Sequence, residues 1–252
     1  MKTMTTNKTN CKGSDQSLGN PYGVEKVAFS PEAFEKIRQT LGTKCPETMG
    51  LLFGNAATLT SGIPYVTKMV YRDSDVSTLI CCSVDEKRWS PIIEDQWFNY
   101  NLDLLGDAHS HPGEDGPYAL DACKPSEGDL FTSRNNEMFT SLNHPYLITP
   151  IVFSDCGFEF DLFCYLVGPE KDAPAYPVPY CIMTAEEYRQ AIAERAAATK
   201  PSALQVAART IAVSAGVCLC TIATLLALDV HPVSPESLSS ILEEISQFMY
   251  HL

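Results

Sequence analysis

Short apolar runs alternate with helix-like segments between residues 21 and 168, and this alternation limits the folds open to the chain. The runs are bounded by turn-forming residues and are rich in branched and aromatic side chains, which favours β-strands. They read VEKVAFS, MGLLFGNAATL, IPYVTKMVY, STLICCSV, LDLLGDAHSH, PYLITPIVFS and GFEFDLFCYLVG. Between them, Ser30 suits a helix cap, Pro31 a first helical turn and Gly42 a helix end. The pattern predicts an α/β (α+β layered) domain over these residues.

The rest of the chain differs in composition from this domain. Residues 1–20 are polar and are expected to form a flexible tail without the apolar segment of a signal peptide. Residues 169–180 are rich in proline and are expected to form a linker or an extended crossing. Residues 181–252 are predicted to be helical, because Thr184 and Glu187 form a capping box and later apolar residues recur at helical spacing.

Residues 210–228, TIAVSAGVCLCTIATLLAL, carry no charge and are just long enough to cross a membrane. We expect a buried helix instead, because the segment is rich in small residues and lies between acidic amphipathic segments. A membrane is therefore not an expected partner. The C-terminal region is predicted to pack as a helical appendage on the α/β domain, or to form oligomers through its helices.

Charge and cysteine content exclude some classes of protein. The net charge of −13 argues against nucleic acid as a partner, since such proteins carry a basic surface. Ten cysteines are scattered without a CxxC pair, and several lie in apolar runs, where a reduced thiol behaves as a small apolar side chain. These features predict a reducing, cytoplasmic location.

Two of the five histidines, His109 and His111, lie in the sequence GDAHSHP at the end of a strand-like run. Side chains two residues apart in a strand point to the same face, so both imidazoles can reach one metal ion. The pair alone is weak evidence, because polar residues where a strand meets a loop give the same pattern.

Two further segments supply carboxylates. Glu47 precedes the apolar run MGLLFG, and Ser126 and Asp129 stand three residues apart in PSEGDL. Taken singly, a glutamate before a strand is usually solvated, and a serine followed by an aspartate is an ordinary helix N-terminus. Together with the histidines, these residues offer three metal ligands and a spare carboxylate as a base. That set is typical of a catalytic zinc site with one open position.

In these three segments the chain resembles the JAMM (MPN-domain) metalloproteases. Their signature is a glutamate before a Gly-Leu-Leu-type strand, then H-[ST]-H-P, then S-x-x-D. The chain matches it in the same order at PETMGLLFG, HSHP and PSEGD, within residues 21–168. All five functional positions are filled, so the resemblance is to the active, bacterial-type branch of the family. It implies an MPN-like mixed sheet flanked by helices.

The resemblance also implies roles for the five residues. His109, His111 and Asp129 would hold one zinc ion, Glu47 would be the general base, and Ser126 would stabilise the oxyanion. The implied activity is that of a zinc-dependent isopeptidase or peptidase, which cleaves the amide bond after the C-terminus of a ubiquitin-like protein. The implied partners are that protein or its conjugates, together with activating and conjugating enzymes of the same pathway.

Three other functions stay open on the same motif. The chain could process a ubiquitin-like or sulfur-carrier precursor, belong to the branch found with bacterial DNA repair, or serve as a binding module without catalysis. The acidic charge argues against direct contact with DNA. The presence of Glu47, which a structural metal site does not require, argues against a binding module.

One departure from the family signature lies between the second histidine and the serine. The family usually has about seven residues there, whereas this chain has the fourteen residues 112–125. Asp115 and Asp121 lie in this segment and are alternative ligands, but Asp129 is preferred because PSEGDL preserves the helix start. The long segment is expected to border the site and contact the substrate.

Overall fold

A computed structural model describes residues 20–42, 47–73, 76–77, 82–83, 86–112, 124–154 and 160–199 of the chain. Contacts divide the chain into one unit that ends at Glu194 and a second that begins at Arg195, and every described strand belongs to the first. The strands are β1 (Val27–Phe29), β2 (Met49–Gly54), β3 (Tyr65–Tyr71), β4 (Val76–Ser77), β5 (Cys82–Ser83), β6 (Asp103–Pro112), β7 (Leu147–Ile148), β8 (Ile151–Ser154), β9 (Phe160–Val167), β10 (Tyr176–Val178) and β11 (Tyr180–Ile182). The α-helices are α1 (Pro31–Thr40), α2 (Glu86–Tyr100), α3 (Glu127–Asn135), α4 (Glu137–Thr140) and α5 (Ala185–Thr199), and a 3-10 helix spans Ala56–Thr60.

Nine of the described strands form one mixed sheet. Their spatial order is β10-β9-β7-β6-β2-β3-β1-β11, and β8 continues the line of β7 between β6 and β9. Strand β2 is antiparallel to both β3 and β6, whereas β6 is parallel to β7 and β8. Strand β6 therefore lies inside the sheet, with hydrogen-bonded neighbours on both sides.

Successive residues of β2 point to opposite faces of the sheet and enter different cores. Leu52 packs in one cluster with Ile37 of α1. Leu51 and Phe53 pack in another with Trp89 of α2 and with apolar residues of α4. The sheet thus lies between helices on both faces, which confirms the predicted α/β layered fold. The likeness to the MPN fold stays a prediction.

The helices begin where their capping residues predict. Ser30 caps α1, accepting a hydrogen bond from the third backbone N–H of the turn, and Pro31 is the first helical residue. At the start of α5, Thr184 N donates to Glu187 Oε2 at 2.8 Å, and Glu187 N donates to Thr184 Oγ1 at 3.2 Å. Pro91, expected to begin or bend a helix, lies within α2.

Two expectations about chain segments are wrong. The strand predicted over MGLLFGNAATL ends at Gly54, because Asn55 caps the 3-10 helix by accepting a hydrogen bond from Ala57 N at 2.9 Å. Residues 169–180, expected to be a linker, contribute β10 and the first residue of β11, which are the two ends of the sheet. Edge strands tolerate proline because one of their sides needs no ladder hydrogen bond. The region predicted to be helical from residue 181 accordingly begins inside β11 and becomes helical only at α5.

Several predictions fall outside the described residues. They concern the tail up to residue 19, most of the segment 112–125, the uncharged segment 210–228 and any helices after α5. No helix within the described ranges is long and apolar enough to cross a membrane. Cys164 and Cys181 are free thiols.

A substitution at Gly106 tests how β6 is held in the sheet. It lies opposite Ile148 of β7, its φ is +152°, and a Cβ added to it would overlap the backbone of Ile148. We expect Gly106→Ala to lower the free energy of unfolding by about 2–4 kcal/mol, since backbone must move to admit the methyl group. Urea denaturation followed by circular dichroism measures this.

Gly128, in the first turn of α3, is the matched control. A Cβ there would meet Ser126 Oγ at 3.5 Å, which is ordinary van der Waals contact. Gly128→Ala should stabilise the protein by about 0.5–1 kcal/mol, because alanine favours the helix. Equal effects of the two substitutions would show that the close approach of β6 to β7 does not matter.

Candidate metal centre

Four side chains singled out in the sequence converge at one place. Glu47, His109, His111 and Asp129 each offer one ligand atom, and these atoms all lie within 4.8 Å of one another. Glu47 and His109 are buried, and the other two are half-buried. They come from the residues before β2, the end of β6 and the first turn of α3. Within the described ranges, this is the group of His, Cys, Asp and Glu side chains that could hold a metal ion.

Strand β6 fixes the two histidines relative to Glu47. His109 and His111 point to the same face because they are two residues apart in a strand, and their ring centroids are 5.0 Å apart. Antiparallel pairing places His109 opposite Met49 of β2. The same register, extended by two residues, places His111 opposite Glu47. Accordingly, Nε2 of His111 lies 4.0 Å from Oε1 of Glu47.

The capping box at the start of α3 holds the carboxylate of Asp129 in place. Ser126 N donates to Asp129 Oδ2 at 2.6 Å, and Asp129 N donates to Ser126 Oγ at 3.2 Å. The same Oδ2 lies 3.3 Å from Nε2 of His109 and 3.4 Å from Nε2 of His111. One carboxylate oxygen therefore faces both imidazoles, and the hydrogen bonds that begin the helix also orient this oxygen.

The structure describes one of the other candidate residues, Ser126, but not the alternative ligands. Ser126 is the exposed N-cap of α3, so it is joined to the cluster through Asp129. Its hydroxyl oxygen accepts the capping hydrogen bond, so the hydroxyl hydrogen can still be donated to another group. Its predicted role with the oxyanion stays a prediction. Asp115 and Asp121, the alternative ligands, lie outside the described residues.

Two distances in the cluster fit a tetrahedral metal ion. Two ligand atoms that each lie about 2.0–2.2 Å from such an ion are about 3.3–3.6 Å apart. The two separations between imidazole nitrogen and carboxylate oxygen are 3.3 Å and 3.4 Å. In addition, Nε2 of His109 is buried and makes no hydrogen bond, as expected of a nitrogen that binds metal. Imidazole and carboxylate are ligands for Zn²⁺ and for other first-row metals.

Charge in the cluster also favours a cation. Burial lowers the pKa of the His109 imidazole, but the neighbouring carboxylates Asp107 and Asp129 outweigh burial and raise that pKa to about 10. Burial raises the pKa of the Asp129 carboxyl, yet the two imidazoles hold it well below its usual range. The ionised carboxylates therefore attract positive charge, which a bound metal ion or a protonated histidine supplies.

Asp107 is a buried partner of His109 that the sequence motifs did not reveal. Its Oδ2 lies 3.3 Å from Nδ1 of His109, and both side chains are less than a tenth exposed. A carboxylate at Nδ1 selects the tautomer whose Nε2 is unprotonated, which is the form that binds metal. A signal was present in the sequence, because Asp107 precedes His109 by two residues and shares its face of β6.

Ser110 ties β6 to the residues beside Glu47. It is fully buried and points to the opposite face of β6 from the two histidines. Thr48 N donates to Ser110 Oγ at 2.9 Å, and Ser110 N donates to Thr48 O at 2.9 Å. These bonds fix Thr48, and with it the adjacent Glu47, against the strand that carries the histidines.

No protein-family model matches the chain, and no curated protein matches it. Among solved structures, the chain is similar to the solution structure of protein DSY2949 from Desulfitobacterium hafniense. The identity is 16%, the match covers 63% of this chain and 93% of that chain, and the TM-score is 0.45. A likeness at this level says nothing about function.

The contact between Asp107 and His109 predicts an effect on metal affinity. We expect Asp107→Asn to weaken zinc binding about tenfold or more, because His109 loses the carboxylate that sets its tautomer and raises its basicity. Competition with a chromophoric chelator measures the affinity. The matched control is Asp103→Asn on the same strand, since Asp103 accepts a hydrogen bond from Ala56 N at 2.8 Å. Equal zinc affinities for the two variants would contradict this role of Asp107.

Proposed function

We propose that the protein is a zinc-dependent isopeptidase or peptidase that hydrolyses the amide bond after the C-terminus of a ubiquitin-like protein. The observation that carries the proposal is the convergence of Glu47, His109, His111 and Asp129, with one Asp129 oxygen facing both imidazoles. The resemblance of the three motif segments to JAMM metalloproteases supports the choice of substrate.

Three of these residues would hold the zinc ion. In His109 and His111, Nε2 of each imidazole lies at the distance from the Asp129 carboxylate oxygen that a tetrahedral site requires. When bound, zinc supplies Lewis acidity, which polarises a carbonyl group and lets water ionise near neutral pH. Glu47 is the fourth member of the cluster, and its Oε1 lies 4.0 Å from Nε2 of His111.

Glu47 is suited to move the proton that amide hydrolysis requires. The amine of a lysine side chain is a poor leaving group unless it is protonated, so a single carboxylate must take a proton from water and deliver it to that nitrogen. Glu47 is buried beside the candidate ligands, and the bonds between Thr48 and Ser110 hold the adjacent backbone against β6. Ser126, the exposed residue that is hydrogen-bonded to Asp129, would donate its hydroxyl hydrogen to the carbonyl oxygen of the amide.

The expected biological setting follows from the substrate. The partners are a ubiquitin-like protein or its conjugates, together with activating and conjugating enzymes of the same pathway. The scattered cysteines favour the cytoplasm. Two described thiols, Cys164 and Cys181, are free, in keeping with a reducing compartment.

The substitution Glu47→Gln distinguishes a catalytic zinc site from a structural one. A structural zinc has four protein ligands, whereas a catalytic zinc keeps one position open. If Glu47 is the base, Glu47→Gln should keep zinc and lose cleavage about a hundredfold or more. The measurements are zinc content by mass spectrometry and cleavage of a peptide whose lysine side chain is joined to the C-terminus of ubiquitin.

Asp129→Ala is the matched control, because it removes a ligand and should lose zinc and cleavage together. Loss of zinc from the Glu47→Gln protein would show that Glu47 is a fourth ligand, and the proposed roles would be wrong. A linear fusion to the C-terminus of ubiquitin, tested alongside, distinguishes an isopeptidase from a peptidase that processes precursors.

A further inference from the structure

Helix α3, which carries the aspartate ligand, is held to the domain mainly by polar groups. Four of its side chains are buried or half-buried against the domain. Leu130 is apolar, and the other three are polar or charged: Asp129, Ser133 and Arg134. The large apolar side chain of Phe131 instead points to solvent and is 68% exposed. Apolar burial, which usually fixes the position of an amphipathic helix, is therefore weak here.

Arg134 bonds the C-terminal end of this helix to three backbone carbonyls. Its Nε donates to the carbonyl oxygen of Gly168 at 3.3 Å, and one terminal nitrogen donates to that of Lys171 at 2.7 Å. The other terminal nitrogen donates to the carbonyl oxygen of Ala173. Three carbonyls thus surround the planar fork of one guanidinium, a geometry that lysine cannot reproduce.

The segment that supplies these carbonyls is itself fixed to the sheet. It connects β9 to β10, which pair with each other, and β9 also pairs with β7 and β8 beside the histidine strand. Ala173 N donates to Glu170 O at 3.2 Å, which closes a turn within the segment. At Gly168, a Cβ would overlap Tyr22, so the backbone there is tightly packed. Arg134 therefore joins α3 to the connection between two strands of the same sheet that holds the histidines.

We infer that Arg134 is a positioning residue for the metal ligand Asp129. The two residues lie five positions apart, about 7.5 Å along the helix axis. Asp129 contacts the two histidines at one end of α3, and Arg134 contacts the sheet through the three carbonyls at the other end. With both ends fixed, the helix cannot rotate or slide, and the aspartate oxygen stays at ligand distance before metal arrives.

This inference rests on the metal site of the proposed function, but not on the reaction or its substrate. A purely structural role for Arg134 predicts a less stable protein whose folded form binds zinc normally. A positioning role predicts weaker zinc binding by the folded protein, because part of the binding free energy is then spent on docking α3. Zinc affinity of the folded full chain therefore distinguishes the two roles.

The test compares Arg134→Met and Arg134→Lys with Arg72→Met. Arg72 is also half-buried and donates to a backbone carbonyl, that of Arg88 at 3.0 Å, but it lies outside α3 and the β9–β10 connection. Zinc affinity is measured by chelator competition with each full-length protein. Cobalt is then substituted for zinc, because its visible absorption reports the coordination geometry.

We expect Arg134→Met to weaken zinc binding about tenfold or more and to reduce the cobalt absorption of a four-coordinate site. Arg134→Lys should be intermediate, since it keeps the charge and part of the hydrogen bonding, and it carries the test if the methionine variant does not fold. Arg72→Met should bind zinc like the unmodified protein. Unchanged affinity and spectrum in the Arg134 variants would overturn this inference alone. Failure of the unmodified protein to bind zinc would overturn the proposed function together with it.

Discussion

Strand β2 pairs antiparallel with β6, in the register that puts Met49 opposite His109. This pairing determines which side chains face the candidate metal centre and which face the core. Because side chains alternate along a strand, a slip of one residue would turn both histidines to the opposite face of the sheet. The same register brings Glu47 opposite His111 and places Leu51 and its neighbours alternately in the two cores. Hydrogen bonds of Ser110 and the close packing of Gly106 on β7 hold β6 in this register, so the site and the core depend on one another.

Carboxylates gathered in a buried place are costly unless positive charge accompanies them. Here three of them, Glu47, Asp107 and Asp129, lie around two imidazoles. The cluster therefore adds little to the stability of the fold, but it attracts a cation. Two of the candidate ligands are held by a second group: Asp107 orients His109, and the capping box orients Asp129. Arg134 extends this support to the far end of α3. Such preorganisation keeps ligand atoms at fixed distances, at the cost of stability that an apolar core would give.

Much of the site could be predicted from local sequence patterns. The two-residue spacing of His109 and His111 is diagnostic only if they lie on a strand, and the run before them predicts one. The three-residue spacing of Ser126 and Asp129 predicts a capping box, and that box is what orients the ligand oxygen. Such patterns succeed because each depends on neighbours a few residues away.

Tertiary contacts account for what the patterns could not predict. Arg134 is bound by carbonyls that come from more than thirty residues later in the chain, and nothing in their sequence marks them. Residues 169–180 have the composition of a linker, but their prolines lie in edge strands, where the missing N–H is harmless.

The most direct test of the central claim is X-ray absorption at the zinc edge of the zinc-loaded full chain. The proposed zinc site predicts one zinc per chain with only nitrogen and oxygen ligands at about 2.0–2.2 Å and the outer scattering of two imidazoles. Sulfur ligands at about 2.3 Å, from any of the ten cysteines, would contradict the assignment of this centre.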